Sequence, residues 1–217
     1  MKSYAKLNVL NNIKSVCILT HINPDADALC SSVVLRSFLM SYFKIPKIDI
    51  FAECSGIPNN YLSILGKIQL NKEPKNYEAA IMVDCPNTDR LGIYKHLFKK
   101  AKTKIVIDHH STNIYEGDIN IVENVSSNCE IIYSIFKHFK QEISVENQGK
   151  LYAGLITDTN NFTVGRITSK TFKIASEFEP NIEREAIYNN FLANNTLKNI
   201  ITNNFTLVIN LHNTRHS

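Results

Sequence analysis

Three short apolar runs in this 217-residue sequence each stop on acidic or imidazole side chains, and that recurrence constrains the fold more than any other feature. Val16 to Leu19 is followed by His21, Asp25 and Asp27; Ala79 to Val83 ends at Asp84; Lys104 to Ile107 ends at Asp108, His109 and His110. Nearly continuous apolar runs of this length read as strands buried on both faces, which occur in parallel sheets covered by helices. Such sheets bind ligands outside the carboxyl ends of their strands. One carboxylate after a strand is unremarkable; three such exits in one chain point to a single site.

The intervening segments fit alternating strands and helices. Leu29 to Phe43 carries apolar residues at helical spacing and stops before Pro46, as a crossover helix does. KIDIFA (47–52) reads as a second strand, Gly56 and Pro58 as a turn, Asn60 to Leu65 as a weak helix and INIV (119–122) as a short strand. Asn128 to Phe139 and Gln148 to Ile156 read as helices, the first capped by Ser126, Ser127 or Asn128 and carrying Glu130 as a structural charge in its first turn. The second delivers Asp158, a further acidic group at an element end. Ser169 to Phe178 and Ile182 to Leu192 complete the helices, and Asn194 to Ser217 reads as a short element with a frayed tail. The expected architecture is an α/β sandwich of three layers.

Length favours one domain, and no apolar run approaches a bilayer span. The N-terminus lacks the uninterrupted apolar core of a signal peptide, so the expected location is the cytoplasm, with no membrane partner. Cys17, Cys30, Cys54, Cys85 and Cys129 are odd in number and lack CxxC pairing, which argues for reduced, mostly buried thiols. The net charge of +4 is mild, and nothing in it demands duplex nucleic acid. A basic run at Lys99, Lys100, Lys102 and Lys104 reads as a solvated face that could assist an anionic substrate.

Collected, His21, Asp25, Asp27, Asp84, His109, His110 and Asp158 form an oxygen-and-nitrogen ligand set without thiolate. That chemistry suits a borderline-to-hard divalent ion such as Mn²⁺. Carboxylates this close repel one another unless a cation offsets them, and there are too many ligands for one ion. Two ions bridged by a carboxylate match the template for hydrolysis at phosphorus. Taken alone, Asp25 or Asp27 is as readily a helix cap.

HINPDADA (21–28), VDCPNTDRLG (83–92), VIDHHSTN (106–113) and LITDTNNF (155–162) resemble, in order and spacing, the four motifs of the DHH phosphoesterases. The resemblance covers about residues 15–195. It implies a five-stranded parallel sheet with helices on both faces and a dimanganese centre, with Mg²⁺ or Co²⁺ as alternatives. His21 and Asp25 would bind one ion, Asp27, His109 and Asp158 the other, and Asp84 would bridge them. Asp108 would orient its neighbours, while His110 would contact the scissile phosphate as a general acid or charge stabiliser. SSNCEIIY (126–133) and TVGRITSKTF (163–172) look most like the branch that degrades very short oligoribonucleotides and dephosphorylates pAp.

Two departures stand out. Cys30 occupies a position where that branch usually has glycine, and the glycine-rich GGGH-type loop of a C-terminal substrate-binding domain is absent from this sequence. The expected organisation is therefore a catalytic domain over 1–195 and a linker or tail remnant over 196–217, possible homo-oligomer formation left open. Arg90 and Arg166 are candidates for substrate phosphate, against the commoner fate of exposed arginines. His96, His138, His212 and His216 read as surface or tail residues, and Asn160 and Asn161 as an Asx turn. Three readings remain: a Mn²⁺-dependent phosphodiesterase or phosphatase of short nucleotides, an inorganic pyrophosphatase of the related family, or a truncated metal-binding domain with little activity.

Overall fold

The computed structural model describes residues 3–57, 59–65, 70–72 and 75–193. Its apolar runs form five parallel strands: β1 (Ser15–Leu19), β2 (Lys47–Phe51), β3 (Ala79–Val83), β4 (Thr103–Asp108) and β5 (Ile119–Val122), side by side in the order β2-β1-β3-β4-β5. Val16 pairs with Ile48 on one side and Ala79 on the other, Ile81 with Ile105, and Ile107 with Ile121. Alternate residues turn to opposite faces. Val16, Ile18, Ile81, Val83, Ile105 and Ile107 pack into one apolar cluster; Cys17, Leu19, Ala80, Met82 and Val106 pack into another. The first cluster is completed by α1 (Ala26–Ser41), α2 (Asn59–Leu65), α4 (Asn128–His138), α5 (Val145–Asp158), α6 (Ser169–Phe178) and α7 (Arg184–Tyr188). The second rests under a 3₁₀ turn, Thr88–Tyr94, and α3 (Lys95–Lys100), through Leu91, Leu97 and Phe98. The three-layer α/β arrangement is the expected one.

From β1 the chain winds outward to β2, then crosses back to β3 and continues to β4 and β5 on the other side. The strand order reverses between β1 and β3, and the crevice at such a reversal is where doubly wound sheets bind ligands. His21 and Asp84 lie just beyond those two strands.

Several boundaries differ from expectation for local reasons. α1 begins at Ala26, three residues before Leu29, because the Asp25 carboxylate caps it by accepting the Ala28 N–H at 2.9 Å. α5 starts at Val145 under a Ser144 cap and extends to Asp158, which is therefore its last residue and not part of a loop. The expected helix over Ile182–Leu192 is interrupted: Ile182 is extended, α7 covers Arg184–Tyr188, and Asn189–Ala193 forms a π turn. An unforeseen 3₁₀ helix, Ser3–Leu10, buries Tyr4, Leu7 and Leu10, a three-residue spacing that eclipses side chains on one 3₁₀ edge. Pro58 and the segment 194–217, with His212 and His216, lie outside the described residues.

Candidate metal centre

The strand exits bring His21, Asp25, Asp84, His109 and His110 to one rim of the sheet, and the start of α1 and the end of α5 add Asp27 and Asp158. Three overlapping groups have ligand atoms within 4.8 Å of one another: His21 with Asp25 and Asp84, Asp27 with His109 and Asp158, and Asp84 with His109 and His110. Asp84 sits at the middle. Its Oδ1 lies 3.3 Å from His109 Nε2 and 3.8 Å from His110 Nδ1, and its Oδ2 lies 3.9 Å from His21 Nε2. On either side, His109 Nε2 stands 3.4 Å from Asp158 Oδ2, and His21 Nε2 stands 3.9 Å from Asp25 Oδ2.

The imidazoles are oriented by their other nitrogens. His21 Nδ1 is 2.9 Å from the Ile22 carbonyl, and His109 Nδ1 is 3.3 Å from the Val125 carbonyl. A carbonyl only accepts, so each Nδ1 carries a proton and each Nε2 turns toward the acidic cluster, where a bound cation would take its lone pair in place of a proton. His110 instead meets the fully buried Asp108 at 2.7 Å, and the other Asp108 oxygen accepts from Asn113 Nδ2 at 2.7 Å. Asp108 thus fixes its neighbour's ring. Burial opposes its ionisation, yet the bonds from His110 and Asn113 hold its carboxyl below the ordinary range. That same bond to Asp108 raises His110, whose side chain is 40 % exposed.

Asp27 is held differently. It lies in the first turn of α1, almost wholly buried, and accepts the backbone N–H groups of Asn128 at 2.6 Å and Cys129 at 3.0 Å, the first turn of α4. A helix N-terminus presents unpaired N–H groups and a positive dipole end, so it grips a carboxylate. Close approach of α5 completes the grip: a Cβ on Gly154 would stand 2.4 Å from Cys129 Sγ and 2.7 Å from Asp27 Oδ1. The Cys30 thiol is fully buried in the same core, where α1 packs against α5.

The electrostatics record crowding of like charge. Burial first, then the Asp27 carboxylate, pushes Asp84 up to about 8 and Asp158 up to about 7. Burial likewise raises Asp27. His109 moves the other way from its burial: the surrounding carboxylates, Asp84 foremost at 3.3 Å, lift it to about 10. Asp84 pays twice, since its Oδ1 is buried without a hydrogen-bond partner and its backbone holds a left-handed φ of 52°. A non-glycine residue in that conformation is strained, and strain of this kind collects at functional sites. Carboxylates and Nε2 lone pairs, packed this closely around an orphaned oxygen, fit divalent cations of the Mn²⁺ type.

Arg90 and Arg166 are exposed, and neither makes an ion pair among the described residues; Arg90 contributes its carbonyl, which accepts the Ile22 N–H at 2.8 Å beside His21. His96 and His138 are surface residues as expected, the latter edge-on to Tyr4. Asn160 and Asn161 make no Asx turn; they and Phe162 adopt three successive positive φ values, with Asn161 N–H bonded to the Ile156 carbonyl. Lys100 and Lys102 line a concavity of about 610 Å³ beside Ser15, at the opposite edge of the sheet, so the basic run does not serve this rim. Glu130 is structural, as read, but buried: it accepts from Ser126, Thr171 and Lys170 and ties α4 to α6.

Two supports had no advance signal. Glu53 accepts the Ile93 N–H at 2.7 Å across Gly92, whose φ of 57° and lack of a side chain leave room for that carboxylate. Glu116 accepts from both the N–H and the hydroxyl of Thr88. Together they pin the loop that follows Asp84.

Residues 15–157 match the family described as the DHH family, N-terminal domain. A protein of Streptococcus mutans named "probable bifunctional oligoribonuclease and PAP phosphatase NrnA" is 34% identical over 175 residues, covering 78% of this chain and 54% of its own length. The Bacillus subtilis bifunctional oligoribonuclease and PAP phosphatase is 28% identical over 167 residues, 75% of this chain and 52% of its own. The chain thus spans about half the length of these curated relatives. An exopolyphosphatase-related protein from Bacteroides fragilis shares the fold, with a TM-score of 0.77 at 22% identity over 88% of this chain and 60% of that one. No helix among the described residues is long and apolar enough to cross a membrane.

Proposed function

The chain belongs to the DHH family, and from that premise we propose that it is a metal-dependent phosphoesterase acting on short oligoribonucleotides or pAp through two divalent cations, Mn²⁺ foremost. The observation that carries the reading is the position of Asp84, one carboxylate within reach of His21 on one side and His109 on the other. His21 and Asp25 would hold one ion, Asp27, His109 and Asp158 the second, and Asp84 both. Residues 1–195 constitute this domain. The substrate class follows the names of the two NrnA relatives.

When bound, such a pair of cations neutralises phosphoryl charge and lowers the pKa of water enough to give a nucleophile at neutral pH. The chain's own groups do the rest. Asp108, itself immobilised by Asn113, holds His110 Nδ1 and raises the ring's affinity for a proton. His110 Nε2 can then donate a proton to a leaving oxygen or stabilise charge on the phosphoryl group. The α4 N-terminus keeps Asp27 fixed, so the cluster does not reorganise during turnover.

The test is a parallel assay of pAp, a ribodinucleotide and pyrophosphate with Mn²⁺ and with chelator. Chelator-sensitive hydrolysis of the first two supports the reading. Hydrolysis of pyrophosphate alone refutes the substrate class, and inactivity on all three refutes turnover by this chain.

A further inference from the structure

Asn128 is the first residue of α4 and has no accessible surface, yet neither its side-chain oxygen nor its nitrogen has a hydrogen-bond partner among the described residues. A buried carboxamide without partners has lost its hydrogen bonds to water and gained none, a state that native interiors avoid and that asks for a missing partner. Among the described residues, four have such orphaned atoms: Thr20, Arg36, Asp84 and Asn128. For Asp84 the missing partner is accounted for by the ions proposed above. Of these four, Asn128 alone is orphaned at both polar atoms.

Its place in the fold says where the partner belongs. The Asn128 N–H donates to Asp27 Oδ2 at 2.6 Å, and helical side chains lean toward the N-terminal end of their helix, the end that Asp27 closes. The Asp27 carboxylate in turn is grouped with His109 and Asp158. The neighbouring side chains are already committed: Ser127 caps the Glu130 N–H, Ser126 bonds the Glu130 carboxylate, and the Cys129 thiol faces the Asp27 carbonyl. Asn128 is left as the uncommitted polar group of this turn.

We infer that Asn128 is a positioning residue of the metal centre, its carboxamide hydrogen-bonding an oxygen in the shell of the ion held by Asp27, His109 and Asp158. The inference rests on the proposed two-ion reading and extends it to a side chain outside the four motifs. An outer partner of this kind orients the oxygen ligand it touches, and its loss weakens metal affinity by about 10- to 100-fold. In the metal-free protein the same carboxamide contributes no bond, so removing its polarity leaves the fold at least as stable.

The experiment is calorimetric titration of the full chain with Mn²⁺, alongside thermal unfolding with and without the metal, for the wild type, Asn128→Leu and Asn128→Ser. The leucine variant keeps the volume and drops the polarity; the serine variant keeps a hydroxyl and relieves any crowding if leucine fails to fold. Expected are two ions per wild-type chain, an affinity at one of them about tenfold or more weaker in Asn128→Leu, and an intermediate value in Asn128→Ser. The metal-free midpoint of Asn128→Leu is expected to equal or exceed that of the wild type, while its metal-induced rise shrinks. Equal affinities in all three proteins overturn the inference alone. Should the leucine variant not fold, wild-type affinity at both sites in Asn128→Ser overturns it. Absence of Mn²⁺ binding by the wild type overturns the two-ion reading itself.

Discussion

The two halves of the cluster are built from different materials. Asp27, His109 and Asp158 come from a helix start, a strand exit and a helix end far apart in sequence, and Asp27 is locked by two backbone N–H groups more than a hundred residues away. His21 and Asp25 are instead four residues apart on one loop, 3.9 Å from each other, with the Asp25 side chain 55 % exposed. The first half is fixed by tertiary packing and the second by local geometry. The buried half should therefore couple metal binding to the stability of the whole domain, whereas the loop half should bind and release its ion with little effect on the fold. Asp84 belongs to both.

Removing the shared member gives the largest effect. Asp84→Ala is expected to abolish binding at both sites and with it all metal-dependent hydrolysis, read by Mn²⁺ titration and by phosphate release. Retention of either site at wild-type affinity would show that the halves do not share this carboxylate.

The contrast itself is tested by Asp27→Ala against Asp25→Ala. Loss of Asp27 strips the first turn of α4 of its anion and leaves a buried void, so chemical denaturation should register a loss of about 2–4 kcal/mol together with loss of one ion. Loss of Asp25 removes an N-cap and should cost about 1 kcal/mol, with the other ion weakened. Equal destabilisation by the two variants would erase the distinction. Gly154→Ala is a finer probe: the added methyl must push Cys129 or Asp27 aside, and overpacking of this kind costs about 1–3 kcal/mol. Its metal defect should be confined to the Asp27 side.

The smallest expected effect is a pH trend in the metal-free protein. Asp84 and Asp158 titrate in the fold at about 8 and about 7, above the ordinary 3.8. A group with a raised pKa stabilises the fold fully below its unfolded value and loses that contribution as pH rises through the folded one. The metal-free midpoint should therefore fall between about pH 4 and about pH 8, and saturating Mn²⁺ should flatten the decline by competing with those protons. A metal-free midpoint that rises over the same range would contradict the assigned crowding.

Much of this was written in the chain. Runs such as AAIMV and KIVI carry the two-sided burial of a central parallel strand, and the residues that end them carry the site. Asp25 illustrates that capping and cluster membership are compatible, since one oxygen caps α1 and the other faces His21. What sequence patterns did not reveal are partnerships formed only on folding. The anchoring of Asp27 by α4, the support of Asp108 by Asn113 and the seat of Glu53 over Gly92 join segments with no shared periodicity.

The most direct test is diffraction from crystals soaked in Mn²⁺, using its anomalous signal to locate the ions. Two peaks flanking the Asp84 carboxylate, one against His21 and Asp25 and the other against Asp27, His109 and Asp158, are the predicted result. A single peak, or peaks away from Asp84, would contradict the shared centre on which the account stands.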